Sequence, residues 1–249
     1  MATLFAVPGS HPSRAAALML EHKGIDYTRI DFAPPLQRVG LRLVGFRGRT
    51  VPALRIEGRR IQGSRTIARA LDELRPEPPL FPRDPETREK VERVEEWGDE
   101  VLQPIARRLA WAALKRDRST IGSFLEGARL GIPRGVAVRT SAPLVLLSAR
   151  LNRATDEVVR DDIRALPGHL DRVDGWIGEG VLGGPERNAA DFQVATSVRL
   201  LMGLDDIRPA IEDRPAASFA EDVVPHPLGH ANAVLPAEWL VPLRQPAAA

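Results

Sequence analysis

The chain has 249 residues and a formal net charge of +2, with 43% hydrophobic and 27% charged residues. This length allows one large domain or two small ones with a sizeable core, and the composition excludes collagen-like, disordered and disulfide-stapled proteins. Because the sequence contains no cysteine, the chain itself offers no disulfide, no thiolate metal ligand and no cysteine nucleophile.

The isoelectric point of about 9.5 is not a sign of a nucleic-acid partner. The chain has one tyrosine and its only lysines are Lys23, Lys90 and Lys115, so few groups lose a proton between about pH 7 and pH 10. A small positive excess therefore persists to high pH without a strong positive field, and we expect no nucleic-acid partner. No apolar run is long enough to cross a bilayer and no basic leader is apparent, which predicts a cytoplasmic protein without a membrane partner.

The first part of the chain alternates between strand and helix patterns. A turn at residues 8–10 follows the first strand, Gly24 closes the first helix, and Glu57-Gly58 is typical of a tight hairpin turn. Ser64 is expected to cap the third helix. The predicted elements are, in order, a strand at 3–7, a helix at 12–23, a strand at 26–32, a weak helix within 36–49, strands at 52–56 and 59–62, and a helix from Ser64 to Leu74. Their order is βαβαββα.

A proline-rich segment follows. Residues 75–82 contain four prolines, which cannot lie inside a helix and therefore mark a linker. We place a domain boundary near Leu80, with an α+β domain at 1–78 and a second domain at 84–249.

The second domain has the helical period of about 3.6 residues. Its first helix spans residues 91–112 and should bend at Gly98 and Pro104. Further helices are predicted at 136–152, 156–178, 188–204 and 205–212. The tail from Pro215 to Ala249 is expected to be extended. The fold class is thus an α+β domain followed by an α-helical bundle.

Several segments, taken together and in order, resemble the cytosolic glutathione S-transferases with a serine-type active site. They are Ser10 at the start of the first helix, residues 20–27, Val51-Pro52-Ala53-Leu54, residues 61–67 and residues 188–192. The resemblance implies a thioredoxin-like N-terminal domain that binds glutathione and a helical domain that shapes a pocket for a small hydrophobic electrophile. It also implies a homodimer and a role in detoxification.

The resemblance makes Ser10 the catalytic residue. The thiol pKa near 8.5 leaves little thiolate at neutral pH, and a hydroxyl hydrogen bond together with a helix N-terminus would favour the ionised form. Ser10 would then donate to the sulfur and not act as a nucleophile. Alternatively, it only caps the helix. Ser13 offers a second hydroxyl one turn further on, and His11 is either a ligand contact or a solvated side chain.

The remaining cofactor-binding residues also follow from the resemblance. The Val51 backbone would pair with the extended thiol peptide before a cis Pro52, which otherwise is an ordinary proline at the start of a strand. Ser64 would hold the γ-glutamyl carboxylate at a helix N-terminus. Thr50 stands where many members carry Lys or Arg.

Gly63 is the departure from the family that matters most for the cofactor. Members usually have Glu, Gln or Asp at this position, which would pair with the amino group of glutathione. Glycine cannot do so unless Gln62 or the partner subunit takes over. The cofactor is therefore glutathione or another low-molecular-weight thiol, such as one of mycothiol type.

Three further patterns bear on the structure of the second domain and of the site. Asn188 to Asp191 has the spacing of a capping box, which is a structural feature. The aromatic side chains of Trp97, Trp111 and Phe124 either line the electrophile pocket or belong to the core. No histidine has the spacing of a metal site.

The sequence leaves two alternatives to the transferase open. One is a non-catalytic protein of the same fold that binds ligands or other proteins. The other is a thiol-dependent isomerase or dehalogenase.

Overall fold

The computed structural model of the chain describes residues 1–244, so the end of the predicted tail, residues 245–249, lies outside the described residues. A four-stranded sheet forms the first part, with strand order β2-β1-β3-β4. The strand β1 pairs in parallel with β2 and antiparallel with β3, and β3 pairs antiparallel with β4. The strands are β1 (Ala2–Ala6), β2 (Tyr27–Asp31), β3 (Ala53–Ile56) and β4 (Arg59–Gln62).

Three helices complete the first domain and confirm the predicted βαβαββα order. They are α1 (His11–His22), α2 (Gln37–Leu43) and α3 (Ser64–Leu74). The hairpin between β3 and β4 turns at Glu57 and Gly58, whose φ angles are 49° and 76°. Two successive positive φ angles match the right-handed twist of the strands, which explains the glycine in this turn. This is the thioredoxin-like topology.

Each face of the sheet is covered by helices. Phe5, Leu41, Phe46 and Ala53 form a small cluster beneath α2, where the rings of Phe5 and Phe46 meet edge to face at 5.5 Å. The opposite face contributes to the large core shared with α1, α3 and the helical domain. The first domain therefore buries its second face against the rest of the chain.

The helical domain begins after the proline-rich segment. Its helices are α4 (Pro85–Trp97), α5 (Gln103–Arg116), α6 (Ile121–Phe124), α7 (Arg134–Arg139), α8 (Ser141–Leu151), α9 (Asp156–Gly178), α10 (Ala189–Leu201) and α11 (Pro215–Val223). Between α4 and α5 the chain forms a π-helical turn at Gly98–Leu102. The expected bend is therefore a local widening of the helix. A π turn accommodates Pro104, which lacks the N–H of a regular helix.

The structure corrects four sequence predictions of secondary structure. The segment 136–152 forms two helices, since Pro143 cannot donate to the carbonyl of Arg139. Only Arg208–Ala210 is helical, as a single 3₁₀ turn, within 205–212. Part of the tail expected to be extended is the helix α11. Finally, Gly63 occupies the cap position of α3, so Ser64 is the first helical residue and not the cap.

The two domains are joined by buried contacts. The helix α10 is buried along almost its whole length and packs against α1, α4 and α5. The ammonium of Lys23, itself fully buried, donates to Asp72 Oδ1 at 2.6 Å and to the carbonyls of Arg75 and Pro78. All three protons of a buried cation are thus satisfied, which holds the proline-rich segment against the first domain.

Candidate functional site

Ser10 lies at the N-terminus of α1, where a turn with Gly9 at φ 69° redirects the chain from β1. Its Oγ accepts from the Ser13 N–H at 3.4 Å and from the Ser13 hydroxyl at 3.0 Å. A hydroxyl has one donor and two acceptor positions. Both acceptor positions of Ser10 are therefore used inside the helix cap, and its own O–H is left to donate elsewhere.

The neighbouring His11 is a buried residue of the domain interface. Its Nε2 donates to the carbonyl of Gln103 in α5 at 3.2 Å, which requires the tautomer protonated at Nε2. Burial first, and then the positive charge of Arg107, lower the pKa of His11 to about 3. The ring is thus neutral at ordinary pH, and the alternative that His11 is a solvated side chain is wrong.

Val51 and Pro52 precede β3 and are joined by a cis peptide bond. The carbonyl of Pro52 accepts from the Gly63 N–H at 2.9 Å, which ties this loop to the start of α3. Within residues 1–244 the backbone of Val51 makes no hydrogen bond to another backbone group. Its N–H and C=O can therefore pair with an extended peptide, as a further strand would.

Gln62 is held by the same loop. Its Nε2 donates to the carbonyl of Thr50 at 2.6 Å and its Oε1 accepts from the Gly48 N–H at 3.0 Å. These two bonds fix the amide against the loop and leave one lone pair of Oε1 and one proton of Nε2 for a ligand. Thr50 itself is exposed at the rim of the site.

The N-terminus of α3 points into a cavity of about 430 Å³ that we call the polar cavity; it is lined by Pro12, Thr50, Val51, Pro52, Gly63, Ser64, Arg65, Thr66, Asp99, Gln103 and Arg107. Gly63 has φ 91°, a conformation that favours glycine. The first N–H groups of a helix have no partner within it, and here they belong to Ser64, Arg65 and Thr66. Together with the helix dipole they form a site for an anion such as a carboxylate.

A second cavity, of about 180 Å³, adjoins the first, and we call it the apolar cavity. Ser10, His11, Thr50 and Val51 line one side, and α5, α6 and α8 supply the other. Trp111, Leu114 and Phe124 are among its apolar side chains. A hydrophobic group bound here would lie beside the Ser10 hydroxyl.

Two of the three aromatic candidates are therefore in the site. Trp97 is not, because its ring packs against Trp176 at 4.9 Å and against His169 at 5.7 Å on another part of the helical domain. The capping box is confirmed, since the Asn188 side chain accepts from the Asp191 N–H and the Asp191 carboxylate accepts from the Asn188 N–H.

One group of polar residues was missed by the sequence analysis. Asp99, Gln103 and Arg107 are spaced four residues apart on the wall of the polar cavity. Gln103 Nε2 donates to Asp99 Oδ1 at 2.7 Å, and Arg107 Nη2 donates to Gln103 Oε1. Their spacing on a helix was the available signal, but it does not show which face of the helix meets the first domain.

Neither a metal cluster nor a membrane helix is found within residues 1–244. No group of three or more His, Cys, Asp or Glu side chains in this part of the chain could hold a metal ion. No helix there combines the length and apolar character required to cross a membrane.

The first domain matches a known family model, and the whole chain resembles solved structures of one fold. Residues 4–79 match the family model described as the N-terminal domain of glutathione S-transferases. No curated protein matches the sequence. A glutathione S-transferase from Rhodospirillum rubrum F11 is 20% identical, with a TM-score of 0.60 over 92% of this chain and 90% of that one.

Two other solved structures are similar over most of their length. A glutathione S-transferase from Sinorhizobium meliloti 1021 is 20% identical, with a TM-score of 0.60 over 97% of this chain and 99% of that one. The β-etherase LigF from Sphingobium sp. strain SYK-6 is 18% identical, with a TM-score of 0.59 over 89% of this chain and 98% of that one. At these identities the similarity establishes the fold.

Proposed function

We propose that this chain is a member of the glutathione S-transferase family that binds glutathione or a related thiol and transfers its sulfur to a hydrophobic electrophile. The thiol peptide occupies the polar cavity and reaches the edge of the apolar cavity at Ser10. The electrophile occupies the apolar cavity. Both substrates thus meet where the two cavities join.

The state of the Ser10 hydroxyl is the observation that carries this proposal. In this arrangement Ser13 donates twice to Ser10 Oγ, which leaves the Ser10 proton free for a group in the adjoining cavity. A thiolate is an acceptor of the required kind, and the N-terminus of α1 adds a favourable dipole. A serine that only caps the helix would not need an open cavity beside it, yet Ser10 lines one.

The thiol peptide is placed by three groups of the first domain. The free N–H groups at the start of α3, together with the Ser64 side chain, receive the γ-glutamyl carboxylate of the thiol peptide. The unpaired backbone of Val51 pairs with its peptide unit. Gly63 offers no side chain to the amino group of the thiol peptide. The site therefore does not require glutathione, and a related low-molecular-weight thiol also fits it.

The reaction itself needs only the bound thiol and the electrophile. The thiol gives its proton to solvent, and the thiolate sulfur forms a bond to an electrophilic carbon. With a chlorinated aromatic substrate, the carbon–chlorine bond then breaks and chloride leaves with the bonding electrons.

Two measurements test the proposal. Calorimetry with glutathione and with other small thiols should show saturable binding of at least one of them. With that thiol, 1-chloro-2,4-dinitrobenzene should be conjugated at a rate that falls in Ser10→Gly. Glycine is suitable because it costs only a few tenths of a kcal/mol at a cap position.

Failure takes two distinct forms. Thiol binding without conjugation of any electrophile would favour the alternative that the chain is a non-catalytic binding protein. No binding of any thiol would refute the proposal altogether. The expected homodimer and cytoplasmic location belong to the same proposal, and a monomer in light scattering at micromolar concentration would refute the former.

A further inference from the structure

Arg107 is a cation of the site without a carboxylate partner in the part of the chain that the structure describes. The adjacent Arg108 shows the contrast, because its guanidinium forms two hydrogen bonds of 2.6 Å to the carboxylate of Asp162. Arg107 is linked only to Gln103 Oε1 and through that amide to Asp99. Arg107 therefore keeps donors that no side chain uses.

The surroundings of Arg107 make this arrangement costly for the free protein. Burial lowers the pKa of Arg107, and Asp99 acts in the opposite direction. A guanidinium is not deprotonated in proteins, so Arg107 keeps its positive charge. A partly buried cation without a carboxylate in contact with it is unfavourable, so an anion that binds beside it recovers free energy.

Arg107 also lies at the junction of the two cavities, and it lines both. On the side of the polar cavity, the N-terminus of α3 already provides a site for the carboxylate of the thiol. On the other side, Arg107 faces the space enclosed by Trp111, Leu114 and Phe124. Glutathione has a further carboxylate at its glycine end, but the apolar lining on this side of Arg107 favours an anion carried by the second substrate.

The size of the apolar cavity limits that substrate further. Its volume of about 180 Å³ is close to that of apolar cavities of about 150 Å³ that hold one benzene molecule. The rings of Trp111 and Phe124 favour an aromatic ligand by their flat apolar faces. One substituted ring thus fits in the cavity.

We propose that Arg107 binds an acidic group on the electrophile, so that the second substrate is a single-ring aromatic carboxylate. This inference rests on the proposed function, because it assigns the apolar cavity to the electrophile. A guanidinium recognises a carboxylate with two parallel hydrogen bonds, and a partly buried pair is screened less by salt than a surface pair. Arg38 also lines the cavity but is exposed, so it contributes less.

The experiment compares an acid with its neutral counterpart. Calorimetry in the presence of a saturating thiol measures binding of the unreactive ligands 3,5-dinitrobenzoate and 1,3-dinitrobenzene to the wild type, Arg107→Met and Arg107→Lys. Arg164→Met is the matched control, since that side chain is 71% exposed and pairs with Asp161 far from either cavity. Turnover is measured in parallel with 4-chloro-3,5-dinitrobenzoate and 1-chloro-2,4-dinitrobenzene.

We expect the wild type to bind the acid at least about tenfold more tightly than the neutral ligand, as a charged hydrogen bond in a partly buried site implies. Arg107→Met should abolish that preference, while Arg107→Lys retains part of it and Arg164→Met all of it. The dissociation constant of the thiol should change less than about twofold in all variants. KM for the chlorinated acid should follow the binding data.

Each other outcome overturns one specific claim. Equal binding of the two ligands by the wild type, or an unchanged preference in Arg107→Met, refutes the role of Arg107. Weaker thiol binding in Arg107→Met assigns the residue to the thiol and also refutes it. Preferential binding of the acid without any turnover leaves the assignment of Arg107 standing and refutes the transferase function.

Discussion

Removal of the Ser10 hydroxyl should change the pH dependence of the reaction and not merely its rate. A hydrogen bond to a charged group contributes about 1.5–3 kcal/mol, and a helix N-terminus about 0.3–1 kcal/mol. At about 1.36 kcal/mol per pKa unit, the two effects lower the thiol pKa from about 8.5 to about 6.5. Without the hydroxyl, the pKa of the bound thiol should rise by about one to two units.

The rate of Ser10→Gly should therefore depend on pH in a defined way. At about pH 6 the fraction of thiolate, and with it kcat/KM, should fall roughly 10- to 70-fold relative to the wild type. At about pH 9 both proteins hold mostly thiolate, and the difference should be less than about twofold. The assay is conjugation of 1-chloro-2,4-dinitrobenzene from pH 5.5 to 9, with the uncatalysed rate subtracted.

Thr155→Gly is the control for the loss of a helix cap. Thr155 caps α9 with the same geometry, because its side chain accepts from the Val158 N–H at 3.4 Å, and it is exposed and remote from both cavities. Its pH profile should match that of the wild type. An identical profile in Ser10→Gly, or a larger shift in Ser13→Ala than in Ser10→Gly, would refute the reasoning.

Three further predictions concern stability and thiol affinity. Because the pKa of His11 is about 3 in the folded protein and about 6.5 when unfolded, the unfolded state binds more protons between these values and stability falls as the pH decreases. From about pH 7.5 to 4.5, the free energy of unfolding measured in urea should fall by on the order of 2–3 kcal/mol through His11. This loss should be absent in His11→Gln, and an equal loss in the wild type and the variant would contradict the assignment. Lys23→Met should lower the free energy of unfolding by about 3–5 kcal/mol, since it leaves the Asp72 carboxylate without its cation, and a change below about 1 kcal/mol would count against it. Gly63→Gln should bind the thiol about 3- to 10-fold more tightly in calorimetry, because the new side chain contacts the amino group of the thiol peptide. Gly63→Ala has the same strain of about 1–2 kcal/mol from the positive φ angle but no such contact, so it should not bind the thiol more tightly.

Local patterns were sufficient to predict much of the fold. The capping box at Asn188 and the turn at Glu57-Gly58 depend on residues within four positions of one another, so the sequence alone specifies them. The segment at 205–212 has a helical pattern but only a 3₁₀ turn forms there. Ser64 has the chemistry of a cap, yet the positive φ of Gly63 moves the helix start by one residue.

The candidate site depends on contacts between the domains, which no local pattern contains. Ser10, Val51 and Ser64 were named because the ordered segments resemble a family. The burial of His11 beneath Gln103 and the position of Arg107 at the junction of the cavities arise only when α1 meets α5. The same applies to the aromatic residues, since helical spacing could not distinguish Trp97 from Trp111.

The most direct test of the central claim is the ultraviolet titration of a thiol bound to the protein. Because the chain contains no cysteine, the pH-dependent ultraviolet absorbance of a thiolate reports only the bound ligand. The account predicts that the bound thiol titrates with an apparent pKa of about 6.5 in the wild type and at least one unit higher in Ser10→Gly. A bound thiol that titrates near about 8.5 in both proteins would contradict it.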